Sequence, residues 1–198
     1  MIDRLGFAPS PPLLVPEVAS GAAPELDDLR VACDDMVASL LDGCDHVIIL
    51  AERSAVGLGE WLLERHGWAG ARDVVATDAA HPPSRATILG LSAPHRSTAL
   101  LVMGDGSACR TQKAPGYFDE RAEPFDDALA QHLAEADAAK LTALDQDLAA
   151  ELLVAGRVTW PIAASVVNAD ARRWIGDLSF RDDPYGVSYF VALWQPER

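Results

Sequence analysis

Residues 97–103, Ser-Thr-Ala-Leu-Leu-Val-Met, carry no charge and empty directly into Gly104-Asp-Gly-Ser107. That is the shape of a buried strand that hands polar groups to a pocket at its carboxyl end. A strand without a polar face needs cover on both sides, and helices that alternate with strands supply it. The segment therefore points to an α/β fold whose loop over residues 104–119 carries the chemistry.

The flanking patterns agree. Gly6-Phe-Ala-Pro-Ser-Pro-Pro-Leu-Leu-Val-Pro16 reads as a short strand that turns into a proline-punctuated loop. Leu26, Leu29, Cys33, Met36, Val37 and Leu40 recur at helical spacing after Pro24, and Gly43 is the expected stop. His46-Val-Ile-Ile-Leu-Ala51 is β-branched and short, a buried strand. A helix is expected over residues 59–66 and a strand over 73–77, while 86–91 fits either state. Beyond the loop, Phe125, Leu129, His132 and Leu133 share a helical face, and Leu141, Leu144, Leu148, Leu152 and Leu153 continue the apolar pattern. Gly156 reads as a C-cap, and Trp160-Pro161 as a helix start. Residues 171–180 and 187–194 read as paired strands. The expected architecture is a single domain over 1–198, with a central mixed sheet flanked by helices.

Charge narrows the partners. The formal net charge is −14, which repels phosphate backbones and anionic lipid, so neither nucleic acid nor a membrane is expected as partner. Three cysteines, Cys33, Cys44 and Cys109, show no paired spacing, so a disulfide framework is not expected. The opening Met1-Ile-Asp-Arg lacks the apolar run of a signal peptide, and a cytoplasmic location is the expectation.

Several segments together resemble the subunit-B family of class III extradiol ring-cleavage dioxygenases, which also contains the Memo-like proteins. Pro9-Ser-Pro-Pro-Leu-Leu-Val-Pro-Glu17 resembles the family's Pro-His-Pro-Pro opening, and Gly104-Asp-Gly-Ser-Ala108 its Gly-Asp-Leu-Ser-His loop. Ala114-Pro-Gly-Tyr-Phe-Asp-Glu-Arg121, Phe125-Asp126, Leu144-Asp-Gln-Asp-Leu148, Gly156-Arg157 and Pro184-Tyr-Gly-Val-Ser-Tyr-Phe-Val191 extend the likeness through the second half. It is nearest to short actinobacterial members. Residues 52–96 match poorly and run shorter than is usual there.

The resemblance implies ferrous iron held by two histidines and a carboxylate, with open positions for a catechol and oxygen. The departures fall on that chemistry. Ser10 stands where the opening histidine would be, Ala51-Glu-Arg53 where the second ligand turn would be, and Ala108 where the acid–base histidine would be. Val154-Ala155 precede the matching glycine in place of a cysteine or acid. Hydroxyl, guanidinium and methyl groups cannot assemble a facial iron site, so no metal cofactor is expected.

The remaining candidates are polar groups around the vacated site. Asp105 keeps an acidic position at a strand's carboxyl edge, where α/β sheets bind ligands, or it caps its own loop as an Asx-turn. Ser107 is a hydroxyl donor without an assignable base. Arg53 and Arg157, if both reach the pocket, favour a small anionic ligand; otherwise they are salt bridges. His81 and His95 are lesser candidates for a relocated metal site, and Cys109 for a reactive thiol beside Arg110. The leading reading is a degenerate dioxygenase-like protein that binds an anionic small molecule or a protein partner. An iron enzyme using relocated histidines and an accessory or scaffold subunit are the alternatives, and an edge position for the last strand would support a homodimer.

Overall fold

The computed structural model describes residues 1–19, 24–78, 80 and 82–197. Its strands are β1 (Ile2–Ala8), β2 (His46–Glu52), β3 (Ala71–Thr77), β4 (Thr98–Met103), β5 (Trp174–Asp182) and β6 (Tyr189–Pro196). They form one mixed sheet in the order β3-β2-β4-β1-β6-β5. β3, β2, β4 and β1 run parallel, and the β5–β6 hairpin adds antiparallel to β1.

Helices α1 (Pro16–Ala19), α2 (Asp27–Leu41), α3 (Val56–Arg65) and α4 (Arg85–Ser92) lie before β4; α5 (Ala122–Ala134), α6 (Ala138–Thr142), α7 (Gln146–Glu151) and α8 (Thr159–Asn168) follow it. Alternate residues of β4 enter two separate cores. Leu100 and Val102 pack with the α4 and α5–α8 layer, while Ala99, Leu101 and Met103 pack with α2 and α3. Every β4 residue is buried, as a strand covered on both faces must be. The stripe expected on α2 is the one it buries, Leu29, Cys33, Met36, Val37 and Leu40. The ambiguous stretch near residue 88 is helical because Ser84 caps it, its hydroxyl accepting from the Thr87 N–H at 3.3 Å.

Three local expectations need correction. Leu153 does not continue the buried face: it is 48% exposed and left-handed, at φ 55°. Gly156 is not a C-cap but the crossing point of the 3₁₀ turn Ala155–Arg157 with the β4 loop. A Cβ on Gly104 would lie 2.6 Å from the Gly156 Cα, and one on Gly156 would lie 2.2 Å from the buried Trp160 ring, so neither position takes a side chain without rearrangement. The last strand β6 is not an edge either; it lies between β1 and β5. Among the described residues the three cysteines are free, and no helix is long and apolar enough to cross a membrane.

The loop after β4 is strapped down by Asp126 of α5. This fully buried carboxylate accepts the Ser107 N–H at 3.0 Å and the Ser107 hydroxyl at 2.5 Å. It also accepts the Ser188 hydroxyl at 2.6 Å, with the Arg110 guanidinium 4.0 Å away. Gly106 and Ser107 further pair their backbone with Ser188. Removing the shared acceptor would leave three buried donors unpaired, while Arg110 keeps Asp183 at 3.4 Å and Glu123 at 3.6 Å. Asp126→Ala is therefore expected to lower stability by about 3 kcal/mol or more in urea unfolding, at least about 1 kcal/mol for each orphaned donor. Ser107→Ala, which removes a single donor, should lower it by about 1–3 kcal/mol.

Candidate functional site

The carboxyl ends of β1, β2, β3 and β4 converge on one edge of the sheet. Chain leaving β2 turns to the α3 face, and chain leaving β4 turns to the face covered by α5–α8. Adjacent parallel strands whose continuations part in this way leave a crevice between them. A cleft of about 250 Å³ opens there, lined by Ser10, Glu52, Ser54, Met103 and Asp105 among others. A second, shallower groove of about 430 Å³ adjoins it through Glu52 and Ser54, and extends over Arg53, Thr77 and Asp78.

Asp105 is the best-fixed group in the cleft. Its Oδ1 accepts the Ser10 N–H at 2.6 Å and its Oδ2 accepts the Ser10 hydroxyl at 3.1 Å. Its carbonyl accepts the Gly156 N–H at 2.9 Å, so backbone and side chain are both held. Burial pushes its carboxyl up from 3.8 to about 6 against the pull of the two Ser10 hydrogen bonds, and Glu52 adds repulsion.

The other candidates divide by location. Arg53 is exposed at the rim of the outer groove, and no ion pair engages it among the described residues. Arg157 lines neither cavity; its Nη1 donates to the Val154 carbonyl at 3.2 Å. The pair of cations expected to converge on the pocket is therefore reduced to one. Ser107 is fully buried, with its hydroxyl committed to Asp126 rather than the cleft. Cys109 is buried too, its thiol donating at 3.5 Å to the Leu152 carbonyl, and burial pushes its pKa up, which keeps the nucleophilic thiolate scarce.

His95 stands at the opposite, amino-terminal edge of the sheet. Its ring stacks on His46 at 3.8 Å between centroids, and His46 bridges Thr98 and Asp73. His81 lies outside the described residues. Among the described residues no group of three His, Cys, Asp or Glu side chains is arranged to hold a metal ion. The donors that line the cleft are carboxylates and hydroxyls, with Ser10 already bound to Asp105, so they do not fit the nitrogen-rich site that ferrous iron requires.

Glu52, Ser54 and Thr77 were not singled out by motif. They share a position rather than a pattern, each standing at or just beyond the carboxyl end of a parallel strand, with Glu52 and Thr77 in register. The rule that ligands bind at that edge would have found them once the strands were placed.

The Asp105 carboxyl has a defined consequence for stability. Its folded value lies above the 3.8 of an exposed carboxylate, so the folded state holds the proton more tightly. The stabilisation this provides is fully present below 3.8 and is lost as pH rises through about 6. Asp105→Asn, neutral throughout, should melt at a higher temperature than the parent above that range and should lack the decline across it. Equal slopes for the two proteins would contradict the assignment.

Compared with protein-family models and with curated proteins, the chain matches none.

Proposed function

We propose that the protein is a small-molecule-binding protein on a dioxygenase-like frame, with the iron chemistry of the subunit-B family it resembles lost. The observation that carries this reading is the Ser10–Asp105 clasp. At the position where the resemblance would have an imidazole face a metal, a serine turns both its N–H and its hydroxyl onto a half-buried carboxylate. The cleft beside it remains open, with Met103 and Ala155 as apolar walls and Glu52 as a second acceptor. An anionic group on the ligand finds Arg53 at the rim, where a guanidinium with no carboxylate partner among the described residues offers a forked donor. The relocated-histidine alternative draws nothing from His95, which lies at the other edge of the sheet.

The accessory-subunit reading is favoured by one surface feature. Tyr117 is 73% exposed and Phe118 53%, and Leu153, beside Gly116, is 48% exposed. Exposed aromatic and aliphatic side chains in one place are the usual core of a docking patch.

Anaerobic titration of ferrous iron by calorimetry tests the leading proposal. The expected result is no one-to-one heat and, in a separate assay with iron, catechol and air, no yellow ring-fission product. Stoichiometric tight binding of iron would overturn it.

A further inference from the structure

The two adjoining cavities differ in the polarity of what they offer. Within the inner cleft the free groups are acceptors: the Glu52 carboxylate, and Asp105 beyond its bonds to Ser10. The outer groove, which shares Glu52 and Ser54 with the cleft, adds the Arg53 guanidinium, without an ion pair among the described residues, and the Thr77 side chain, whose hydroxyl lies buried beneath its surface. Asp78, the carboxylate at that end, is turned back on its own loop, where it accepts the Ala80 N–H at 2.9 Å.

Thr77 is the independent sign that something belongs there. It is only 4% exposed, and its Oγ1 is buried without a hydrogen-bond partner among the described residues. A buried hydroxyl left unpaired carries a desolvation penalty that folded proteins rarely keep without a use. Its strand neighbour in register is Glu52, which with Ser54 lines both cavities.

We infer that the groove takes a small zwitterion, a short aliphatic amino acid, with its ammonium against Glu52 and Asp105 and its carboxylate against Arg53, Ser54 and Thr77. The inference rests on the small-molecule reading above and deepens it by naming the ligand class. An ammonium between two carboxylates relieves their mutual repulsion and replaces the water that burial removed. A carboxylate at the outer end gives Thr77 the acceptor it lacks and gives Arg53 a forked partner. Ala55, Met103 and Ala155 provide the apolar wall for the methylene chain between the charges. The net charge of the chain favours the cationic end in the interior and leaves the anionic end to Arg53.

The test is calorimetric titration of the full chain with α-aminobutyrate, γ-aminobutyrate, n-butylamine and butyrate, four compounds of similar size and different charge. At least one aminobutyrate should bind about tenfold or more tightly than either singly charged compound, the effect of one charge-assisted hydrogen bond or more. Arg53→Gln should bring that affinity down to the level of butylamine and leave butylamine unaffected. Thr77→Val should weaken the aminobutyrate by a similar factor while the melting temperature holds or rises, because the orphaned hydroxyl is gone. Butyrate binding as tightly as the zwitterions would overturn this inference and leave the anion-binding reading standing. Silence from all four would overturn it as well, and the iron titration would then judge the broader reading separately. A melting temperature several degrees lower in Thr77→Val would assign the hydroxyl a structural role and remove the argument from it.

Discussion

Burial of β4 on both faces is the constraint that places Asp105. Because Leu100 and Val102 fill one core while Leu101 and Met103 fill the other, a shift of one residue would exchange the two sets. The strand is thus held in register, and the residue two beyond its end arrives at a fixed point. There the chain needs Gly104 to pass Gly156 and Gly106 to pass Phe190 and Ser188. Asp126 then fastens the loop from behind through Ser107 and Ser188. The carboxylate of Asp105 is left facing the crevice with Ser10 as its nearest donor.

That arrangement separates scaffold from chemistry. The loop glycines, Ser107 and Asp126 act on one another and maintain the geometry whatever the cleft binds. The groups that determine the chemistry are Ser10, Glu52, Arg53, Thr77 and Asp105, and none is a nitrogen donor suited to a transition metal. What they form is a short gradient, with acceptors inside and donors at the rim. On the proposed reading, such a gradient would select a ligand by the order of its charges.

The parts of the fold carried by periodicity were legible in the sequence. The α2 stripe has a helical period, and β2 and β4 are short apolar runs bounded by turn signals, too short for a buried helix. Gly156 misled because a glycine after an apolar helix resembles a cap, whereas here it is required by the close approach of Gly104 and Trp160. Leu153 misled because apolar spacing carries no information about a left-handed turn. At the site, Asp105 was visible from its place at the end of a strand. Arg157 was visible as a charge, but its direction depends on a turn that the sequence does not encode locally. Thr77 and Glu52 become neighbours through a pairing of β2 with β3, two strands separated by a helix, and no local signal reports that pairing.

The central claim is that Asp105 is a desolvated carboxylate clasped by Ser10 beside an open cleft. Carbon-detected NMR of the Asp105 carboxyl across a pH titration tests it most directly. The account predicts a midpoint of about 6, with the Ser10 amide shifting in step as its acceptor gains a proton. A midpoint near the ordinary 3.8, with the Ser10 amide unmoved, would show that the carboxylate is solvated and unclasped.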